Sequence, residues 1–129
     1  MKSKKRILIV DDDYAIRNIL TRYLLIQGYA VETAKDGQEA LQILAGYHFD
    51  AVLTDLHMPY MDGLTLTHQI RKNDPQTYIV MMTSDIWISA QEEGLADYVV
   101  NKPFKLNEID NILQCALEPT VRNCASSYL

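Results

Sequence analysis

Asp11 and Asp12 follow the aliphatic run Ile7 to Val10, Asp55 follows Ala51 to Thr54, Thr83 follows Ile79 to Met82, and Lys102 comes just after Tyr98 to Val100. Three carboxylates, a hydroxyl and an ammonium gathered in one small volume carry a net negative charge, and they repel one another unless a cation joins them. Oxygen-only ligands favour a hard ion. Mg²⁺ takes one or two carboxylates, keeps several waters and leaves part of its sphere for phosphate. Asp55 adds a second capacity, because a carboxylate can attack phosphorus and form an acyl phosphate. Phosphoryl transfer rests on positioning and on neutralising the equatorial oxygens, work that Mg²⁺, Lys102 and the Thr83 hydroxyl can do. Taken singly these residues mean little. An acidic run is ordinarily a solvated loop or a helix cap, and Asp55 before MPYMDG could be a turn former. Their conjunction at four strand ends is what points to phosphate chemistry at a carboxylate.

That conjunction depends on the elements that position the residues. The short apolar run Ile7 to Val10 suits a strand covered on both faces, as in a parallel sheet. Ile16, Ile19, Leu20, Tyr23 and Leu24 then form a helical stripe, with Gly28 as a stop. Val31 to Ala34 is a second strand. Asp36 and Glu39 have capping-box spacing before a helix that ends at Gly46. Ala51 to Thr54 is the third strand, and the loop LHMPYMDG leads to a helix containing Leu64, Leu66 and Ile70 that closes near Asp74 and Pro75. Ile79 to Met82 is the fourth strand, Ile86 to Glu93 a short helix ended by Gly94, and Tyr98 to Val100 the fifth strand. Leu106, Ile109, Ile112, Leu113, Ala116 and Leu117 make the last stripe. Five strands alternating with five helices predict an α/β doubly wound parallel sheet with helices on both sides and right-handed crossovers. Ligands in such sheets bind beyond the carboxyl ends of the strands, where Asp11, Asp12, Asp55, Thr83 and Lys102 all fall.

The motifs ILIVDDD, TDLHMPYMDG, MTS and NKPF, in this order, resemble the receiver domains of two-component response regulators from about Lys5 to Leu117. The resemblance implies a (βα)5 flavodoxin-like sandwich with strand order 2-1-3-4-5. It implies that a sensor histidine kinase or phosphotransfer protein phosphorylates Asp55, that Asp12 binds Mg²⁺ directly and that Asp11 acts mostly through water. The metal set would comprise Asp11, Asp12, Asp55 and the His57 backbone carbonyl, with Thr83 and Lys102 on the phosphoryl group. Asp13 is left as the helix N-cap. The family also suggests a cis Lys102 to Pro103 bond. Two readings of the His57 side chain stay open: a surface histidine with no special role, or a partner of Asp85 across the mouth that slows the entry of water. His48 and His68 read as ordinary partly exposed residues, and Met58, Met61, Met81 and Met82 as strand and loop packing.

Two departures from the family pattern affect the output surface. The interval from Thr83 to Lys102 is short, which leaves the fourth helix only about two turns. Asn101 is an extra residue before the lysine, so Val99 stands where receivers carry a switch aromatic and Tyr98 lies one place further back. A bulge at Asn101 would return Tyr98 to that role; a regular strand would turn it to the opposite face. Trp87 and Ile88 on the short helix read as core filling, with partner contact as the alternative.

Composition narrows the rest. A net charge of −5 offers no basic face for direct nucleic acid binding. No segment reaches membrane-spanning length, and the apolar run after MKSKKR is too short for an export signal. Cys115 and Cys124 lack zinc-site spacing and are too few for a disulfide scaffold, which reads as a cytoplasmic location. The domain is expected over residues 1–117, with 118–129 a frayed tail or linker stub. The chain would be a complete regulator or carrier, or a receiver ahead of a fused output domain. The expected function is a phosphorylation-dependent switch acting on a downstream protein target, not an enzyme in its own right. The rival is an interaction domain with an altered output face that works independently of phosphorylation. A hydrolase with an aspartate nucleophile ranks last, since no cap domain or second-substrate pocket can be read.

Overall fold

The computed structural model describes residues 3–85 and 95–118. Five strands, β1 (Arg6–Val10), β2 (Ala30–Ala34), β3 (Ala51–Asp55), β4 (Tyr78–Thr83) and β5 (Tyr98–Asn101), form one sheet in the order 2-1-3-4-5. Every neighbouring pair is parallel. Four helices lie among the described residues: α1 (Tyr14–Ile26), α2 (Gly37–Gly46), α3 (Gly63–Asn73) and α4 (Leu106–Leu117). The short helix expected over 86–93, with Trp87 and Ile88, falls outside the described residues, as does the tail from 119 onward.

Side-chain alternation along the strands explains why helices cover both faces. Ile7, Ile9, Leu53, Val80 and Met82 face α1 and α4, where they meet Leu20, Leu24, Ile109, Ile112 and Leu113. Leu8, Val10, Val52, Ile79 and Met81 face α2 and α3, where they meet Ala40, Leu66 and Ile70. A central strand buried on both sides is therefore apolar at successive positions, which is the run seen at Ile7 to Val10. The α1 stripe is narrower than its spacing suggested. Leu20 and Leu24 are buried, but Ile19 is half exposed because it has rotated past the edge of the contact. In α4 the stripe contains a carboxylate: Asp110 is buried and accepts hydrogen bonds from the Tyr29 hydroxyl at 3.3 Å and the Gln114 amide at 3.0 Å.

Asp13 and Asp36 cap the starts of α1 and α2 as their positions in the sequence predicted, and Asp62 caps the start of α3. The carboxylates of Asp13, Asp36 and Asp62 accept from the main-chain N–H groups of Ala15, Glu39 and Thr65. Each satisfies one of the donors that a helix start leaves open. Glu39 reaches back to the Lys35 N–H, one residue before the cap, at 3.1 Å. Gly28 follows α1 with φ 101°, a left-handed conformation that suits glycine.

Arg71 ties the end of α3 to the entry of β4 and β5. Its guanidinium donates to the carbonyls of Leu95, Pro75 and Thr77 and to the Asp97 carboxylate, which also accepts from the Ile79 N–H at 2.8 Å. Hydrogen bonds to a charged group are worth more than neutral ones, and no other side chain can reproduce this fork. Arg71→Ala is expected to cost about 2–3 kcal/mol. Urea unfolding measures it, and a loss below about 0.5 kcal/mol would show that solvent replaces the arginine.

The β5 ladder is regular. Val80, Met81, Met82 and Thr83 pair with Tyr98, Val99, Val100 and Asn101 in turn, and the Lys102 N–H bonds to the Thr83 carbonyl at 2.8 Å. No bulge interrupts β5, so Tyr98 packs with the α1 and α4 core and Val99 with the α2 and α3 core. The alternative in which a bulge at Asn101 turned Tyr98 to the other face is thereby excluded.

Candidate phosphoacceptor site

The carboxyl ends of β1, β3, β4 and β5 converge on one rim, where Val10 pairs with Thr54, Asp55 with Met82 and Thr83 with Asn101. Asp11 follows β1 directly, Asp55 ends β3 and Thr83 ends β4. Lys102 follows β5, and its ammonium lies 3.1 Å from Asp11 Oδ2 and 3.2 Å from Asp55 Oδ1. Asp11 and Thr83 are fully buried, Asp55 is 8% exposed, and Asp12 is open to solvent. One carboxylate oxygen from each of Asp11, Asp12 and Asp55 can be chosen so that all three lie within 4.8 Å of one another. Three carboxylates around one ammonium leave the cluster negative, and an oxygen-only donor set fits a hard divalent cation.

The surroundings set the charge balance. Burial, followed by the Asp11 charge, pushes the Asp55 carboxyl above its ordinary range; Lys102 opposes the shift and Asp12 adds to it. Burial pulls the Lys102 ammonium down, but attraction and hydrogen bonds from Asp11 and Asp55 outweigh it, so its pKa is raised. Lys102 is therefore firmly cationic at neutral pH.

The backbone around the site is closely held. The Asp13 N–H donates to Asp11 Oδ1 at 2.9 Å, while the Asp13 carboxylate caps α1 by accepting from the Ala15 N–H. The Asp85 N–H donates to the Thr83 hydroxyl oxygen at 2.9 Å, which fixes that side chain at the rim. The Lys102–Pro103 peptide is cis, as the motif led us to expect. His57 is exposed on the loop after β3.

Two contributors were not legible as site residues. Gly63 opens α3 directly beneath the site: its N–H bonds the Leu56 carbonyl at 2.8 Å, and an added Cβ would lie 2.4 Å from the Asp55 carbonyl oxygen. Arg17 reaches back from α1 to the Asp11 carbonyl at 2.6 Å. The glycine after Asp62 offered a turn signal without naming its neighbour, and an arginine six residues past Asp11 offered none. A groove of about 640 Å³ lies at the other end of α2 and α3, lined by residues including Leu44, Tyr47, His48 and Asp74, and takes no part in this rim.

A doubly wound sheet with three carboxylates and a lysine gathered beyond its strand ends has them where open α/β sheets bind their ligands. The chain belongs to the response regulator receiver domain family, whose model matches residues 7–114. It is 37% identical over 122 residues to the regulatory protein AtoC of Escherichia coli (strain K12), covering 92% of this chain and 26% of that one. It is 43% identical over 107 residues to the response regulator MprA of Mycolicibacterium vanbaalenii, covering 81% of this chain and 46% of that one. The chain thus spans less than half the length of these two relatives. Among solved structures, the Vibrio cholerae chemotaxis protein CheY4 superposes with a TM-score of 0.82 at 30% identity, over 88% of this chain and 99% of that one. The Thermotoga maritima response regulator TrrA, solved in complex with Mg²⁺ and BeF, superposes with a TM-score of 0.81 at 33% identity, over 87% of this chain and 98% of that one. The domain belongs to a signalling family, not a catalytic one, and no helix among the described residues is long and apolar enough to cross a membrane.

Proposed function

We propose that this domain is a phosphorylation-dependent switch in which Asp55 accepts a phosphoryl group from a sensor histidine kinase or a histidine phosphotransfer protein. The carrying observation is the placement of the nearly buried Asp55 carboxylate 3.2 Å from the Lys102 ammonium, with Asp11 and Asp12 close by. In the transfer an Asp55 oxygen bonds to phosphorus as the P–N bond to the donor imidazole breaks, and the bonding pair leaves with the ring nitrogen. Lys102 faces an oxygen of the incoming group, and the Thr83 hydroxyl, held by the Asp85 N–H, stands ready to donate to another. Asp11, Asp12, Asp55 and the His57 carbonyl are the groups that would hold Mg²⁺, which supplies charge neutralisation between carboxylates and phosphate.

The added charge then biases an equilibrium around Thr83 and β5, and so the surface offered to a downstream protein or fused output domain. This reading places the domain in the cytoplasm, where histidine kinases draw on ATP. The regular β5 ladder, with Tyr98 on the α1 side, favours the second reading, a phosphorylation-independent interaction domain.

Incubation with acetyl phosphate and Mg²⁺ tests the first reading. Intact-mass measurement is expected to show one added phosphoryl group on the wild type, none on Asp55→Asn, and little when the metal is chelated. An unmodified wild type leaves the second reading in place.

A further inference from the structure

We propose that Arg17 is a positioning residue for the divalent-cation pocket, acting through the main chain between Asp11 and Asp12. The inference rests on the phosphoacceptor reading and names a residue that this reading does not use. Arg17 lies in the first turn and a half of α1, and its Nη1 donates to the Asp11 carbonyl oxygen at 2.6 Å. That carbonyl belongs to the peptide joining the two pocket carboxylates, so its orientation sets the direction in which Asp12 leaves the chain.

Asp11 is anchored without Arg17. Its N–H donates to the Ala34 carbonyl at 3.2 Å, its Oδ1 accepts from the Asp13 N–H, and its Oδ2 faces Lys102. Asp12 is exposed, and its carboxylate must converge on the other two for a cation to be shared. Rotation of the Asp11 to Asp12 peptide is the motion that would carry it away, and the charge-assisted bond from Arg17 opposes that rotation. The arginine is held in turn: its guanidinium carbon lies 5.6 Å from the centre of the Tyr14 ring, and its own N–H bonds the Asp13 carbonyl at 3.1 Å. A ligand-orienting group of this kind typically changes metal affinity by about tenfold or more.

A competing role gives the opposite sign. If Arg17 served only as a counter-charge for the acidic loop, its removal would leave the pocket more negative and tighten the cation.

Calorimetric titration of the full chain with Mg²⁺ at fixed ionic strength separates the two. Arg17→Ala is expected to weaken binding by about tenfold. Arg17→Met, which keeps the stem over Tyr14 and loses the donors, should match it and replaces it if the alanine variant does not fold. Arg17→Lys, with a shorter, more flexible side chain ending in an ammonium in place of the planar guanidinium, should fall between. Arg22→Ala removes a charge of the same sign from the exposed side of α1 and should leave the affinity unchanged. Arg17 variants that bind as tightly as wild type or more tightly, or an Arg22 variant that weakens binding equally, overturn the inference alone. So does a fall in metal-free melting temperature with the dissociation constant unmoved. A wild type that takes up no Mg²⁺ overturns the phosphoacceptor reading and this inference together.

Discussion

Lys102→Met is expected to destabilise the metal-free domain by about 3 kcal/mol, because it leaves the fully buried Asp11 and the nearly buried Asp55 without their shared cation. A methionine of similar length keeps the volume, so the loss reports charge and not a cavity. The variant should also acquire a steeper pH dependence. In the folded wild type the Asp55 carboxyl already sits above its unfolded value, so the folded state holds the more tightly bound proton and stability falls as pH rises through the window between the two. Removing the ammonium that opposes this shift raises the folded value further and widens the window. Thermal melts in chelator across the acid range should therefore show the variant approaching wild type at low pH and diverging from it towards neutrality. Added Mg²⁺ should restore part of the loss through binding to the folded state. A variant as stable as wild type at neutral pH in chelator would mean that the aspartates are not held together as described.

Gly63→Ala is expected to cost about 3 kcal/mol or more and to disturb Asp55 as well. The added methyl would stand 2.4 Å from the Asp55 carbonyl oxygen and 3.0 Å from the Leu56 Cα, and neither neighbour is a flexible side chain that could swing aside. The start of α3 must lift instead, which breaks the Gly63 N–H bond to the Leu56 carbonyl and shifts the main chain that carries the phosphoacceptor. Urea unfolding gives the stability term, and phosphoryl uptake from acetyl phosphate gives the site term. The two should fall together. A fully stable alanine variant would mean that α3 does not approach the Asp55 carbonyl this closely. Gly37 makes a useful contrast: its neighbour is the side chain of Met61, which can give way, so alanine there should cost less.

The parallel sheet was legible because the burial of central strands on both faces forces continuous apolar runs, and Ile7 to Val10 and Ile79 to Met82 have that form. Helix starts at Asp13 and Asp36 were legible for a related reason: a cap is a local bond between residues two or three apart. Ile19 was misplaced because helical spacing defines a stripe without fixing how far round the helix the contact extends. Asp110 and Tyr29 were invisible, since 81 residues separate the partners and neither carries a local signal.

The sequence by itself determined which side chains arrive at the strand ends, because a strand's period and the parallel crossovers leave little freedom there. It could not determine the face taken by Tyr98, since an extra residue before Lys102 admits either a bulge or a regular ladder, and only the pairing with β4 chose the latter. Tertiary structure alone also decided the approach of Gly63 to the Asp55 carbonyl and of Arg17 to the Asp11 carbonyl. Both are contacts to main-chain atoms, whose positions depend on how whole elements pack and leave no mark in residue type.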